Sequence, residues 1–267
     1  MNWTRKMLKD NAKQEMRGSF KHYFLLDIVT MIIIMIPIIP LMVVLVNFAN
    51  AIDPLAPELI VIPGTFWLAY LFVLVTAIFI DGPLIVGLMS CYVRSPSGDK
   101  RFGNLFSAFT SGKYLAAVGA MLRLTIFITL WSLLFIIPGI IKAYQYRMVP
   151  YIISESPGIT GKEAMRISRQ MTAKQKGSMF VLDLSFIGWG ILTIIPYLIV
   201  TLVAAFAFPG TVAAMVFALI VFIASIAVLE VYIQAVFTQL YFVMRAAYFA
   251  LNPEGSGLYG SHLLEGK

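Results

Sequence analysis

The sequence predicts an all-α, polytopic membrane protein of about six transmembrane helices, some short or broken, with two amphipathic helices at its surface. Three observations predict it. Of the 267 residues, 60% are hydrophobic and 12% charged, where soluble domains run at roughly 45–50% and about 25%. A chain this short cannot hide that much apolar surface, since even about 300 residues bury only about 75% of theirs. The apolar residues also fall in runs near the roughly 20-residue length that spans a bilayer, and most Lys and Arg residues fall between those runs.

Residues 1–22 form a polar N-terminal segment in which Trp3, Met7 and Leu8 stand against a mostly basic remainder. This pattern predicts a helix lying on an anionic leaflet. The first apolar run, Tyr23–Phe48, is interrupted by Pro37 and Pro40 and is too long for a signal-peptide core, which predicts an uncleaved signal anchor. The second, Leu59 to about Val93, exceeds one straight crossing and is broken by Asp81-Gly82-Pro83. Leu115–Ile137 is the third, closed by the turn signal Pro138-Gly139. A shorter stretch, Ile140 to about Ile153, carries Lys142 and Arg147. Met179–Phe208 ends at Pro209-Gly210, and Val212 to about Leu251 completes the membrane domain, 23–251. Residues 252–267 are a tail.

Orientation follows from the basic residues, which collect on the cytoplasmic side. The N-terminal segment holds Arg5, Lys6, Lys9, Lys13, Arg17 and Lys21; the 94–114 gap holds Arg94, Lys100, Arg101 and Lys113. Lys162, Arg166, Arg169, Lys174 and Lys176 lie in the 154–178 gap, whereas the gaps at 49–58 and 209–211 have none. Two successive basic gaps require the chain between them to cross twice or not at all. Residues 115–153 are therefore read as a helical hairpin, with a re-entrant or interfacial second limb as the alternative. Both termini then face the cytoplasm.

Within the basic gap, Thr160 and Glu163 have capping-box spacing. At about 100° per residue, Lys162, Arg166, Arg169 and Lys176 share one side of a helix over 160–176, with Ala164, Ile167 and Met171 opposite. The basic face suits anionic headgroups, at about 1 kcal/mol per residue; a solvated face that merely fixes topology is the plainer reading. Trp131-Ser-Leu-Leu-Phe-Ile-Ile-Pro138 also echoes Trp189-Gly-Ile-Leu-Thr-Ile-Ile-Pro196, as a parallel repeat would.

Chemistry is sparse. The net charge of +7 belongs to the inter-helix gaps, and nucleic-acid binding is not expected. Cys91 is the single cysteine, excluding an intrachain disulfide or a cysteine-cluster metal site. His22 and His262 are the only histidines and lie outside the apolar runs, so no buried imidazole metal site or Ser–His dyad is available. No metal and no cofactor is expected. Ionisable residues inside apolar runs cost at least about 2.5–3.5 kcal/mol near the bilayer centre, so they face the interior and pair. Asp81, Arg123, Lys142, Arg147, Asp183 and Glu230 are the candidates, with Asp27 near an interface. They make either a polar cavity for a substrate or ion, or buried ion pairs such as Arg123 with Asp81 or Asp183. If the limb 140–153 is buried, Lys142, Tyr144, Tyr146 and Arg147 need partners that Asp183 or Glu230 could supply.

The stretch Leu134-Phe-Ile-Ile-Pro-Gly-Ile-Ile-Lys142-Ala-Tyr-Gln-Tyr-Arg-Met-Val-Pro-Tyr-Ile-Ile153, with Ser168-Arg-Gln-Met171, Leu184-Ser-Phe-Ile-Gly-Trp189 and Pro196-Tyr197, resembles a bacterial, largely Gram-positive family of multi-pass membrane proteins, domain of unknown function 975. The resemblance implies a similar size and helix count and carries over no activity or site residues. The leading expectation is a non-enzymatic binding, scaffold or accessory protein of the cell envelope, acting with membrane lipids or a partner membrane protein. A small-molecule or ion transporter is the alternative, and a carboxylate-dependent lipid-modifying enzyme the weaker one.

Overall fold

The computed structural model describes residues 3–51, 62–110, 112, 114–207 and 212–252. The expected connectors at 49–58 and 209–211, Lys113 and the tail beyond Asn252 lie wholly or largely outside them. The described residues are helical, without strands: α1 Arg5–Met16, α2 Phe20–Met35, α3 Ile38–Ala51, α4 Gly64–Thr76, α5 Gly82–Arg94, α6 Ser107–Thr110, α7 Tyr114–Leu134, α8 Ile136–Gln145, α9 Val149–Glu155, α10 Gly161–Met171, α11 Lys176–Leu184, α12 Ile187–Ala207 and α13 Val212–Leu251. Among the described residues four segments can cross a membrane by length and composition: Gly64–Ser97, Tyr114–Leu134, Lys176–Val203 and Phe217–Leu251. A fifth is reached if the bent pair α1–α2 counts as one.

The six expected crossings are thus not all present as long helices. Pro37 lies in the break that divides Tyr23–Phe48 into α2 and α3. Residues 140–153 divide into α8 and α9; the 10 residues of α8 rise only about 15 Å at 1.5 Å each, half a hydrocarbon core. The second run behaves in the opposite way. Asp81-Gly82-Pro83 does not break it, because a π-helical turn over Ala77–Asp81 joins α4 to α5, and Pro83, which has no amide to donate, follows directly in α5. Among the carbonyls at that turn, that of Phe79 accepts from the Tyr114 hydroxyl at 2.6 Å.

Of the hairpin expected over 115–153, α7 and α8 pack together while α9 is a separate short helix; the turn is Phe135, in extended conformation, and not Pro138-Gly139, which lie in the first turn of α8. Gly139 packs so closely on α7 that a Cβ there would stand 2.4 Å from Ser132 Oγ. The internal echo finds no structural counterpart: Trp131–Pro138 straddles this turn, whereas Trp189–Pro196 lies in uninterrupted α12.

The core centres on α5, buried almost throughout from Gly82 to Val93, and on the parts of α2, α7, α9, α10 and α13 around it. Gly87 lets α5 touch the 3₁₀ turn Phe102–Phe106 backbone to backbone; a Cβ would meet the Leu105 carbonyl oxygen at 1.8 Å. By contrast α3, α4 and α12 expose their Ile, Leu and Phe side chains outward, as lipid-facing helices do.

At α1, Thr4 caps the helix by accepting from the Met7 amide. The chain then turns through Gly18, at φ 76°, so that α1 and α2 meet at 96°. Leu8 and Ala12 are fully buried, and Trp3 and Met7 pack on the core. The apolar side of α1 therefore faces protein, not lipid, correcting the expectation of a helix resting on a leaflet by that face. Trp3 Nε1 donates to Gln175 Oε1 at 3.1 Å, and Lys9 Nζ to the Ser185 carbonyl at 3.3 Å. These bonds pin α1 across the start and end of α11.

Candidate functional site

Three polar clusters are built into this frame. In the first, the break at Tyr146–Met148 turns Arg147 toward α11. Arg147 Nη1 donates to Asp183 Oδ2 at 2.8 Å, and the Tyr144 hydroxyl donates to the same oxygen at 2.6 Å. The guanidinium also lies 3.5 Å from the centroid of the Phe237 ring, a cation–π contact that offsets part of its desolvation. Lys142, one turn earlier, lies over the Trp131 ring at 4.8 Å and Phe127 at 5.8 Å.

The second cluster joins α9 to α13. The Glu155 side chain is 2% exposed and receives Arg245 Nη1 and, at 2.5 Å, the Tyr241 hydroxyl. Tyr241 stacks on Tyr151 at 5.0 Å, whose hydroxyl donates to Gln234 Oε1 at 3.3 Å, while Gln234 Nε2 donates to Glu230 Oε1 at 2.7 Å. Burial raises the Glu155 carboxyl above its ordinary value, against the opposing pull of Arg245 and Tyr241.

The third lies between α2 and α5. Asp27, buried, accepts from Tyr92 at 2.5 Å, and Tyr92 stacks on Tyr23 at 4.8 Å. The Tyr23 hydroxyl reaches Glu15 at 3.2 Å, on the wall of an open polar cleft of about 570 Å³ that also takes in Arg17, Ser19, Ser95 and Lys100.

Of the six residues expected at an intramembrane polar site, the structure brings together Arg147 and Asp183, with Tyr144, and places Lys142 nearby. Glu230 belongs to the second cluster. Asp81 stays apart at the π-helical turn, where its Oδ1 is buried without a hydrogen-bond partner. Arg123 is on the exposed side of α7 and is not paired with either suggested aspartate. Asp183 is taken by Arg147, and Leu124 and Met121, not Arg123, point from α7 into the core.

The basic helix over 160–176 is also revised. Thr160 caps α10 by accepting from the Glu163 amide, and Ala164, Ile167 and Met171 are buried as expected, leaving Lys162, Arg166 and Arg169 exposed. Arg166 pairs with Glu163, which holds that carboxyl below its ordinary value. Lys176 is not on this face. The helix stops at Met171, Lys174 takes the left-handed conformation at φ 62°, and Lys176 opens α11, donating to Gln145 Oε1 at 2.9 Å. Among the described residues no group of His, Cys, Asp and Glu could hold a metal ion, and Cys91 is buried.

Glu155, Arg245 and Tyr241 escaped the sequence reading, because Glu155 lies just outside an apolar run and Arg245 near the end of another. The signal was the same as for Asp183: a charge on an otherwise apolar helix implies a partner.

An apolar groove of about 500 Å³ runs between the α1–α2 elbow, α12 and α13. Against this geometry, a family model described as "Protein of unknown function (DUF975)" matches residues 121–209, the block that carries the family resemblance. The Arg147–Tyr144–Asp183 cluster lies wholly inside the match, whereas the partners of Glu155 lie outside it. No curated protein and no solved structure matches the chain.

Proposed function

We propose that this is a multi-pass protein of the bacterial cytoplasmic membrane with a non-enzymatic role, holding anionic lipids and, through them or beside them, a partner membrane protein. The N-terminal helix and α10 face the cytoplasm in this reading. The observation that carries it is the right-angle elbow between α1 and α2. In this reading α1 lies flat where α2 enters the apolar layer, and its Arg5, Lys6, Lys13 and Arg17 are exposed. The Trp3–Gln175 bond ties that basic layer to the turn beyond α10 and its exposed Lys162 and Arg169. Each such residue adds about 1 kcal/mol toward an anionic leaflet. Meanwhile Asp27, Glu155 and Asp183 are closed off by internal donors, which supports a structural role for the buried charges over an open passage.

Native mass spectrometry of the protein gently extracted from its host membrane tests the reading. The expected result is anionic lipid retained in preference to zwitterionic lipid, reduced in Lys162→Gln/Arg169→Gln. A chain retaining both lipids equally would refute it, and a chemically altered lipid would favour an enzyme.

One observation favours a transport reading. Asp81 Oδ1 lacks a partner at a π-helical turn inside a long apolar helix, and such turns recur at functional sites. Asp81→Asn would then abolish flux of the transported species in reconstituted vesicles while leaving the fold intact.

A further inference from the structure

We infer that the groove between the α1–α2 elbow, α12 and α13 is a discrete binding site for one anionic phospholipid, its phosphate at Lys13 and one acyl chain between α12 and α13. This rests on the lipid-binding reading above and names where a single molecule is held. At about 500 Å³ the groove is within the roughly 300–1,000 Å³ of small-molecule sites.

Its layering matches a phospholipid from headgroup to tail. Lys13 on the flat helix α1 is the charged residue on its wall. The same wall carries Trp189 and Tyr232, with ring centroids 6.5 Å apart, as aromatic side chains do at the level of the headgroups. From there the groove follows α12 from Trp189 to Pro196 and α13 from Tyr232 to Ser225. Seven residues along each helix give about 10 Å of depth.

Below the aromatics the lining is hydrocarbon in effect. The Thr193 hydroxyl donates to the Gly190 carbonyl at 2.7 Å and the Ser225 hydroxyl to the Val221 carbonyl at 2.8 Å. Each hydroxyl is thus satisfied by its own helix and asks nothing of a ligand. A polar solute would lose its hydration there without compensation, whereas an acyl chain loses nothing. The single cation at the mouth selects a headgroup with net negative charge, and its ammonium, a compact strongly hydrated point charge, suits a phosphate at an interface.

The test is native mass spectrometry of the full chain in micelles supplied with phosphatidylglycerol or with phosphatidylcholine of the same acyl chains. The wild type is expected to keep phosphatidylglycerol at least tenfold over phosphatidylcholine, one molecule per chain in the groove besides any on the basic face of α10. Lys13→Gln should remove that one molecule. Thr193→Phe and Ser225→Phe fill the groove from opposite walls; each should remove the groove's lipid of either kind while the elution volume of the folded protein stays unchanged. Two walls are used so that misfolding of one variant does not decide the matter.

If the preference for phosphatidylglycerol survives in Lys13→Gln and both Phe variants but is lost in Lys162→Gln/Arg169→Gln, the groove is overturned and the broader reading stands. If the wild type shows no preference, both fall. If the Phe variants convert a dimer to a monomer without changing lipid retention, the groove is covered by a second copy and the inference is overturned.

Discussion

The Glu155–Arg245 pair yields an asymmetric prediction. The Glu155 side chain is 2% exposed and that of Arg245 23%, so the two charges lose different amounts when their partner is removed. Arg245→Met leaves a carboxylate with the Tyr241 hydroxyl and the longer-range charge of Arg94, and breaking a buried pair in this way costs about 3–5 kcal/mol. Glu155→Gln leaves a guanidinium that is partly wet and lies 5.2 Å from the Phe242 ring centroid; about 1–3 kcal/mol is expected for a polar group left short of a partner. At roughly 2–4 °C per kcal/mol for a chain of this order of size, Arg245→Met should lower the melting temperature by about 6–20 °C and Glu155→Gln by less. The double change Glu155→Met/Arg245→Met should recover much of the loss, because apolar replacement of a buried pair is often neutral.

The pH dependence has a definite sign. The carboxyl of Glu155 is raised by burial, so the folded state binds its proton more tightly than the unfolded chain does. That contribution to stability is fully present below the ordinary glutamate pKa of about 4.3 and is lost as pH rises through the folded value. Arg245→Met removes a charge that opposes the shift, so its deficit should shrink on acidification from neutral pH. Melting in a fixed detergent between pH 4 and 8, read by intrinsic fluorescence, measures all of this. Equal losses in the two single variants, or a deficit in Arg245→Met that does not change with pH, would refute the reasoning.

Other outcomes are equally checkable. Gly87→Ala forces a methyl group against the Leu105 carbonyl, which is backbone and cannot swing aside, so a loss of more than about 1–3 kcal/mol should appear as poor recovery of monodisperse protein. Thr160→Ala removes the cap of α10 and should cost about 1 kcal/mol in melting experiments, with Thr160→Ser near wild type. Asp183→Asn strips the charge from the acceptor shared by Tyr144 and Arg147 and should destabilise the protein more than Arg123→Gln, whose target side chain is already exposed; comparative melting decides this.

Much of the helical layout was legible because a 20-residue apolar run has few alternatives. The buried face of α10 was legible for a related reason, since 3.6-residue periodicity fixes which residues share a side. Lys176 was not, because the left-handed residue that ends the periodicity is Lys174, not a glycine or asparagine that would have flagged a stop. Arg147 with Asp183 could be anticipated as charges needing partners, but choosing Arg123 instead required knowing which side of α7 meets the core. α7 is apolar almost all round, so its sequence holds no such record. The break at Pro37 and the continuity through Pro83 illustrate the same limit. A proline removes one hydrogen bond in either case, and whether the helix absorbs the loss depends on neighbours such as Tyr114 that are distant in sequence.

The docking of α1 has a temporal side. Its anchors at Gln175 and Ser185 are separated from Trp3 and Lys9 by 172 and 176 residues. At a synthesis rate of roughly 5–20 residues per second, α1 waits on the order of 10–35 s before its partners exist. α13, the helix on which α1 packs most extensively, is made later still, after α11. The burial of Leu8 and Ala12 is therefore among the last steps of assembly, and the first helix of the chain is one of the last to find its place.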